Sequence, residues 1–152
     1  MIQPHLKEAI SRVMETMFFL PVQFAEGPRT LDQWLPCDAT VLEAFIDFRG
    51  HRSGRGFLLV PAPGVREMAA NFLGLPEAEV SEEQAQDTLK EAVNMMMGQM
   101  LSLSDRSGGY ALGIPRFGGP ADLSKFQEGR SPMAVLAFET ENTHLAAGVI
   151  ES

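Results

Sequence analysis

The sequence predicts an α+β fold in which a unit of one helix followed by antiparallel strands is used twice, with the helices packed on a β-sheet. Three observations lead there. Two long segments, residues 5–20 and 81–103, repeat apolar residues at helical spacing; the shorter runs between Gly and Pro clusters are rich in strand formers; and a stretch of the first helix echoes the second. At 152 residues and 45% hydrophobic content, the chain is sized for one compact domain spanning 1–152.

Leu6, Ile10, Val13, Met17 and Leu20 place one apolar stripe along a helix over residues 5–20, and Pro21 stops the pattern because it has no N–H to give. A short strand follows at 22–24. Residues 41–48 and 56–60 read as two strands joined through the connection from Gly50 to Arg55. Residues 65–73 form a short helix with Gly74 suited to its C-cap, and Ser81 with Gln84 makes a capping box that opens a helix running to about 103. Ser107, Gly108 and Gly109 end that pattern. Strands are expected at 111–116, 132–139 and 143–150, with Gly118-Gly119-Pro120 and residues 129–132 as loops.

Composition narrows the function. Twelve basic against 20 acidic residues give a formal net charge of −8, so nucleic acid is not an expected partner: phosphate binding needs concentrated Lys and Arg. The scattered Arg49, His51, Arg52 and Arg55 solvate a hairpin connection. Cys37 is the only cysteine, which excludes an internal disulfide and fits a cytoplasmic location. The first ten residues include His5, Lys7 and Glu8 and lack a signal-peptide core, and no run approaches the ~20 apolar residues of a membrane span, so no membrane association is expected. His5, His51 and His144 have no second ligand at metal spacing and read as surface or packing residues, so no metal or cofactor is expected on this chain.

The long helix carries the candidate site. At about 100° per residue, Asp87, Glu91, Asn94 and Gly98 fall within roughly 60° of one another. Leu89, Val93, Met96, Met97, Met100 and Leu103 lie opposite and anchor the helix, leaving two carboxylates, a carboxamide and a bare stretch of backbone facing water. Glycine inside an exposed helix costs about 1 kcal/mol relative to alanine, a cost that close approach of another backbone beside Asn94 would offset. A solvated face that carries one glycine is the alternative the spacing leaves open. Of the methionines Met95, Met96, Met97 and Met100, only Met95 borders the stripe, where it can touch a partner.

The first helix carries an echo of this pattern, with Ser11, Glu15 and Phe18 standing where the second has Asp87, Glu91 and Asn94. One half has kept a site that the other lost, unless two amphipathic helices agree by chance.

The pattern of an Asp or Ser, then Glu four residues on and Asn three further resembles the CheX/CheC/FliY family of chemotaxis phosphatases, in particular its shorter CheX-like branch. The opening helix ending in Met14-Glu15-Thr16-Met17-Phe18-Phe19 and the duplicated element order extend the resemblance along the chain, implying a CheC-like domain. The family's pattern also expects a proline a little over twenty residues past the asparagine; here Pro115 comes early and Pro120 late. The resemblance implies hydrolysis of the aspartyl phosphate of a CheY-like response regulator. Asn94 would hold the attacking water in line, Glu91 would pair with the partner's lysine, and Asp87, Met95 and Gly98 would line the contact. It also implies that magnesium belongs to the phosphorylated response regulator and not to this chain.

Phe18 and Phe19 lie off the apolar centre of their helix, which suggests cover by another element or a second subunit. With residues 132–150 offering a strand edge, and with the sheet-joined dimers of CheX-like proteins, they imply a homodimer. A module that docks on a response regulator or flagellar switch component without turnover is the alternative function. No Gly-rich phosphate loop or Ser-His-Asp arrangement supports an unrelated small-molecule enzyme.

Overall fold

The computed structural model describes residues 2–27, 30–126 and 133–152. In chain order the elements are α1 (Gln3–Met17), β1 (Gln23–Phe24), α2 (Leu31–Trp34), β2 (Val41–Arg49), β3 (Gly54–Pro61), α3 (Ala62–Leu73), α4 (Glu82–Ser104), β4 (Ala111–Leu112), β5 (Arg116–Pro120), β6 (Met133–Glu139) and β7 (His144–Glu151), with single 3₁₀ turns at Glu77–Glu79 and Leu123–Phe126. Of the loops expected by sequence, residues 129–132 lie outside the described residues, as does Pro132 at the start of an expected strand.

Every strand pair is antiparallel, in the order β1-β6-β7-β3-β2, with β4 and β5 both on the outer side of β2. The order is symmetric about the central β3–β7 pair. β3 is flanked by β2 and β7 by β6, and the short strand following each long helix crosses to the other half: β1 pairs with β6 and β5 with β2. The α+β architecture with a repeated unit is therefore present as expected.

α1 and α4 lie side by side on one face of the sheet, with α3 against α4. Leu6, Ile10, Val13 and Met14 of α1 and Leu89, Val93, Met96 and Met100 of α4 meet Ala44, Ile46, Leu58, Val60 and Ala147 in one apolar core. The reverse face carries a smaller core under α2 and the 3₁₀ turn at Leu123–Phe126. There Trp34, Phe57 and Phe126 are buried, and the Phe57 and Phe126 rings lie 4.6 Å apart.

Several expectations shift. α1 ends at Met17, ahead of the expected Leu20, because Phe19 takes a left-handed backbone (φ 56°) and turns the chain before Pro21 is reached. The turn is held by Leu20 N–H on the Met14 carbonyl at 3.0 Å. α4 ends at Ser104, close to the expected 103, and its cap Asp105 accepts the Ser107 N–H on Oδ1 at 2.9 Å. The strand expected at 111–116 is split. Leu112 pairs with Phe48 and Arg116 with Phe45, so one extra residue is accommodated around Pro115, which cannot donate to a ladder. Gly118-Gly119-Pro120, expected as a loop, belongs to β5. Gly119 takes φ 76° where the β2–β5 register slips between Glu43 and Ala44, the backbone that a bulge glycine supplies.

The two grounds for a dimer are each met in part. Phe18 is fully buried, its ring 5.4 Å from that of Phe72 in α3, so another element of the chain covers it. Phe19 remains 67% exposed. β7 offers no edge, lying between β6 and β3, but β1 covers β6 only at Phe138 and Glu139, so Met133–Leu136 keep an open side; the other edges among the described residues are β1 and β4–β5.

Candidate active site

α4 is held at its start and along its length. The Ser81 hydroxyl accepts the Gln84 N–H at 3.0 Å while the Gln84 side chain accepts the Ser81 N–H at 2.9 Å, so the expected capping box forms. Leu89, Ala92, Val93, Met96, Met97 and Met100 are completely buried, and Met97 lies so close over Gly56 of β3 that no Cβ would fit there. Leu103 is only half-buried. Anchored through this face, the helix cannot rotate its opposite side away from solvent.

That opposite side presents Asp87 and Glu91 exposed, and Asn94, Met95 and Gly98 half-buried. Asp87 is paired with Lys90, Nζ to Oδ1 3.2 Å, a within-helix contact that sequence reasoning left out although its i, i+3 spacing was readable. Glu91 and Asn94 differ from Asp87: neither side chain has a hydrogen-bond or ion-pair partner among the described residues. A carboxylate and, one turn on, a carboxamide are thus free to act on something outside the chain. The carboxamide can donate and accept at once without titrating.

The start of α4 lies by Arg66, which bonds the Val80 carbonyl and Glu82 near the Pro61–Val41 end of the sheet; its last turn reaches His51 in the β2–β3 connection through Asp105. α4 therefore runs parallel to β2 and antiparallel to β4 and β5. A Cβ on Gly98 would stand 3.5 Å from Leu112 Cδ1, so Leu112 marks the level of Gly98 and the chain then passes back along the stripe. Pro115 is closer to the level of Asn94 than Pro120, which ends β5 opposite Leu42. Leu112, 37% exposed, flanks the stripe beside Gly98, and Ile114, 77% exposed, follows two residues on in the break between β4 and β5; neither was singled out by sequence. Their apolar character was legible, but not their place at a sheet edge.

In α1 the corresponding face keeps Ser11 half-buried and Glu15 exposed, while Phe18 is a core residue whose carbonyl accepts the Asn71 side-chain N–H at 2.8 Å.

Other polar groups are engaged locally. Arg55 lies over the Phe45 ring and binds Asp47 at 2.7 Å, which holds the Asp47 carboxyl below its ordinary range. Arg52 pairs with Glu151 at 3.1 Å. Burial raises Glu43 above the ordinary glutamate value against the opposing pull of Arg55 and Lys125. His144 stacks on Trp34 at 4.0 Å and reaches Glu139 at 3.0 Å, a packing role as expected. Among the described residues no three His, Cys, Asp or Glu side chains come together as a metal site, and no helix is long and apolar enough to cross a membrane.

Residues 42–139 match the family model described as chemotaxis phosphatase CheX. No curated protein matches the sequence. Solved structures share the fold at low identity. The chemotaxis protein CheX from Vibrio vulnificus superposes with a TM-score of 0.75 at 15% identity, covering 99% of this chain and 96% of that one. A chain of the CheX-CheY-BeF3-Mg²⁺ complex from Borrelia burgdorferi gives 0.72 at 11%, covering 97% and 96%. FliY from Thermotoga maritima gives 0.65 at 14%, covering 99% and 86%.

Proposed function

Because the chain belongs to the chemotaxis phosphatase CheX family, we propose that it hydrolyses the aspartyl phosphate of a CheY-like response regulator. The observation that supports this most is the pairing of Glu91 and Asn94, one helical turn apart, on the solvent side of α4 and without side-chain partners among the described residues.

In this reading the Asn94 carboxamide binds a water and holds it in line with the phosphorus. The water oxygen bonds to phosphorus as the phosphorus–oxygen bond to the aspartate breaks, releasing inorganic phosphate and the free carboxylate. A carboxylate leaving group needs no general acid, so positioning supplies most of the gain. Glu91 pairs with a lysine beside the partner's phosphoryl group, and Asp87, Met95 and Gly98 border the contact. Magnesium comes with the response regulator, consistent with the magnesium named in the Borrelia burgdorferi complex.

The test follows phosphate release from CheY-type receivers of the same organism, with the unsubstituted chain and with Asn94→Ala. Release should accelerate with the former and fall by about 10²-fold with the latter, the cost of a misplaced nucleophile. Circular dichroism should be unchanged, since the Asn94 side chain bonds nothing among the described residues. Tight binding without accelerated release would instead identify a docking module, and full activity in Asn94→Ala would remove Asn94 from the mechanism.

A further inference from the structure

Beyond the polar stripe, we infer that Leu112 and Ile114 form an apolar seat for the receiver domain that presents its phosphoryl group to Asn94, an inference that rests on the phosphatase reading above. Leu112 stands beside Gly98, and the missing side chain there leaves Leu112 37% exposed. From Leu112 the chain runs antiparallel to α4. Ile114, two residues on and 77% exposed, lies in the break between β4 and β5, no more than about 7 Å along the chain from Leu112.

The edge itself calls for cover. Among the described residues β4 and β5 pair only with β2, so their outer side is an open sheet edge, and an apolar residue as bare as Ile114 on such an edge invites association. Geometry selects the occupant. A stable protein contact takes about 800 Å² from each partner, a disc of roughly 16 Å radius. A receiver domain centred on Asn94 with that footprint takes in Gly98, about 6 Å along the helix, and the Leu112–Ile114 segment beside it. Association of two copies over the same edge would compete with access to Asn94.

The seat predicts a split in the kinetics. Ile114→Ser and Leu112→Ser should each raise KM for the phosphorylated receiver, and Kd for the beryllofluoride- and magnesium-loaded receiver, by about tenfold, the scale of an interface anchor. The kcat at saturation should stay within about twofold, because neither side chain touches the water, and Ile114→Leu should restore KM. An unchanged KM in Ile114→Ser beside an active unsubstituted chain would overturn the seat alone. So would a loss confined to kcat, or sedimentation showing that Ile114→Ser dissolves a dimer while receiver affinity holds. If the unsubstituted chain neither binds nor dephosphorylates any receiver, the phosphatase reading falls and the seat falls with it.

Discussion

Gly98 and Leu112 face each other across the seam between α4 and β4, with the Leu112 methyl 3.5 Å from where a Cβ on Gly98 would stand. That spacing is ordinary van der Waals contact, so alanine fits. Gly98→Ala should therefore gain up to about 1 kcal/mol of helix propensity, raising Tm by about 3 °C. The same methyl sits on the stripe and should weaken receiver affinity severalfold. Thermal melts and receiver titrations check the two effects separately, and a more stable variant with unchanged affinity would leave the glycine without a part in binding.

Glu91 is exposed and pairs with no cation among the described residues, whereas Asp87 has Lys90. Glu91→Lys should lower receiver affinity by about tenfold or more at low salt, because it places a like charge opposite the partner's lysine. The loss should shrink as salt is raised. Asp87→Ala should do less, since its charge is already shared. Calorimetric titrations at two ionic strengths distinguish the roles; equal effects of the two substitutions would argue against a specific pair at Glu91.

Much of the site's scaffold was legible in local sequence. The Ser81–Gln84 box, Gly74 as the left-handed cap of α3 and the buried stripe of α4 all follow from residue type and spacing, and all are present. α2 was missed although Thr30 and Gln33 form a second capping box, because four residues are too few to show a period. What spacing could not carry is long-range. The pairing of β1 with β6, the burial of Phe18 under Phe72 and the exposure of Ile114 between β4 and β5 are set by which elements meet in space, and no local pattern encodes them. Gly118 and Gly119 misled for a related reason: the same residues serve a loop or a bulge, and only the partner strand decides.

Glu43 offers a pH test of the sheet. Burial raises its folded-state pKa, so the unfolded chain ionises first as pH rises. Below the unfolded pKa both states carry the proton and Glu43 is neutral to stability. Stability is lost as pH climbs from the unfolded value to the folded one, and the penalty persists above. Glu43→Gln should therefore melt higher than the unsubstituted chain at about pH 7, with the difference vanishing at about pH 3. A lower melting point at neutral pH would mean that attraction to Arg55 and Lys125 outweighs the burial cost.

The α1 half shows why the echoed motif should not be recoverable by a single substitution. Glu15 is exposed as Glu91 is, but the third position is occupied by Phe18, which is completely buried and packed against Phe72. Glu15→Ala should leave phosphate release nearly unchanged, since Phe18 occupies the position where a water would have to be held. Phe18→Asn should not create a second site. It should cost roughly 3–5 kcal/mol, the scale of removing a buried aromatic, with the added burden of burying a carboxamide. Denaturant melts read the stability, and phosphate release per folded molecule reads the activity. A stable Phe18→Asn chain with about twice the turnover would show that α1 faces a receiver as α4 does, and that Phe18 alone had silenced it.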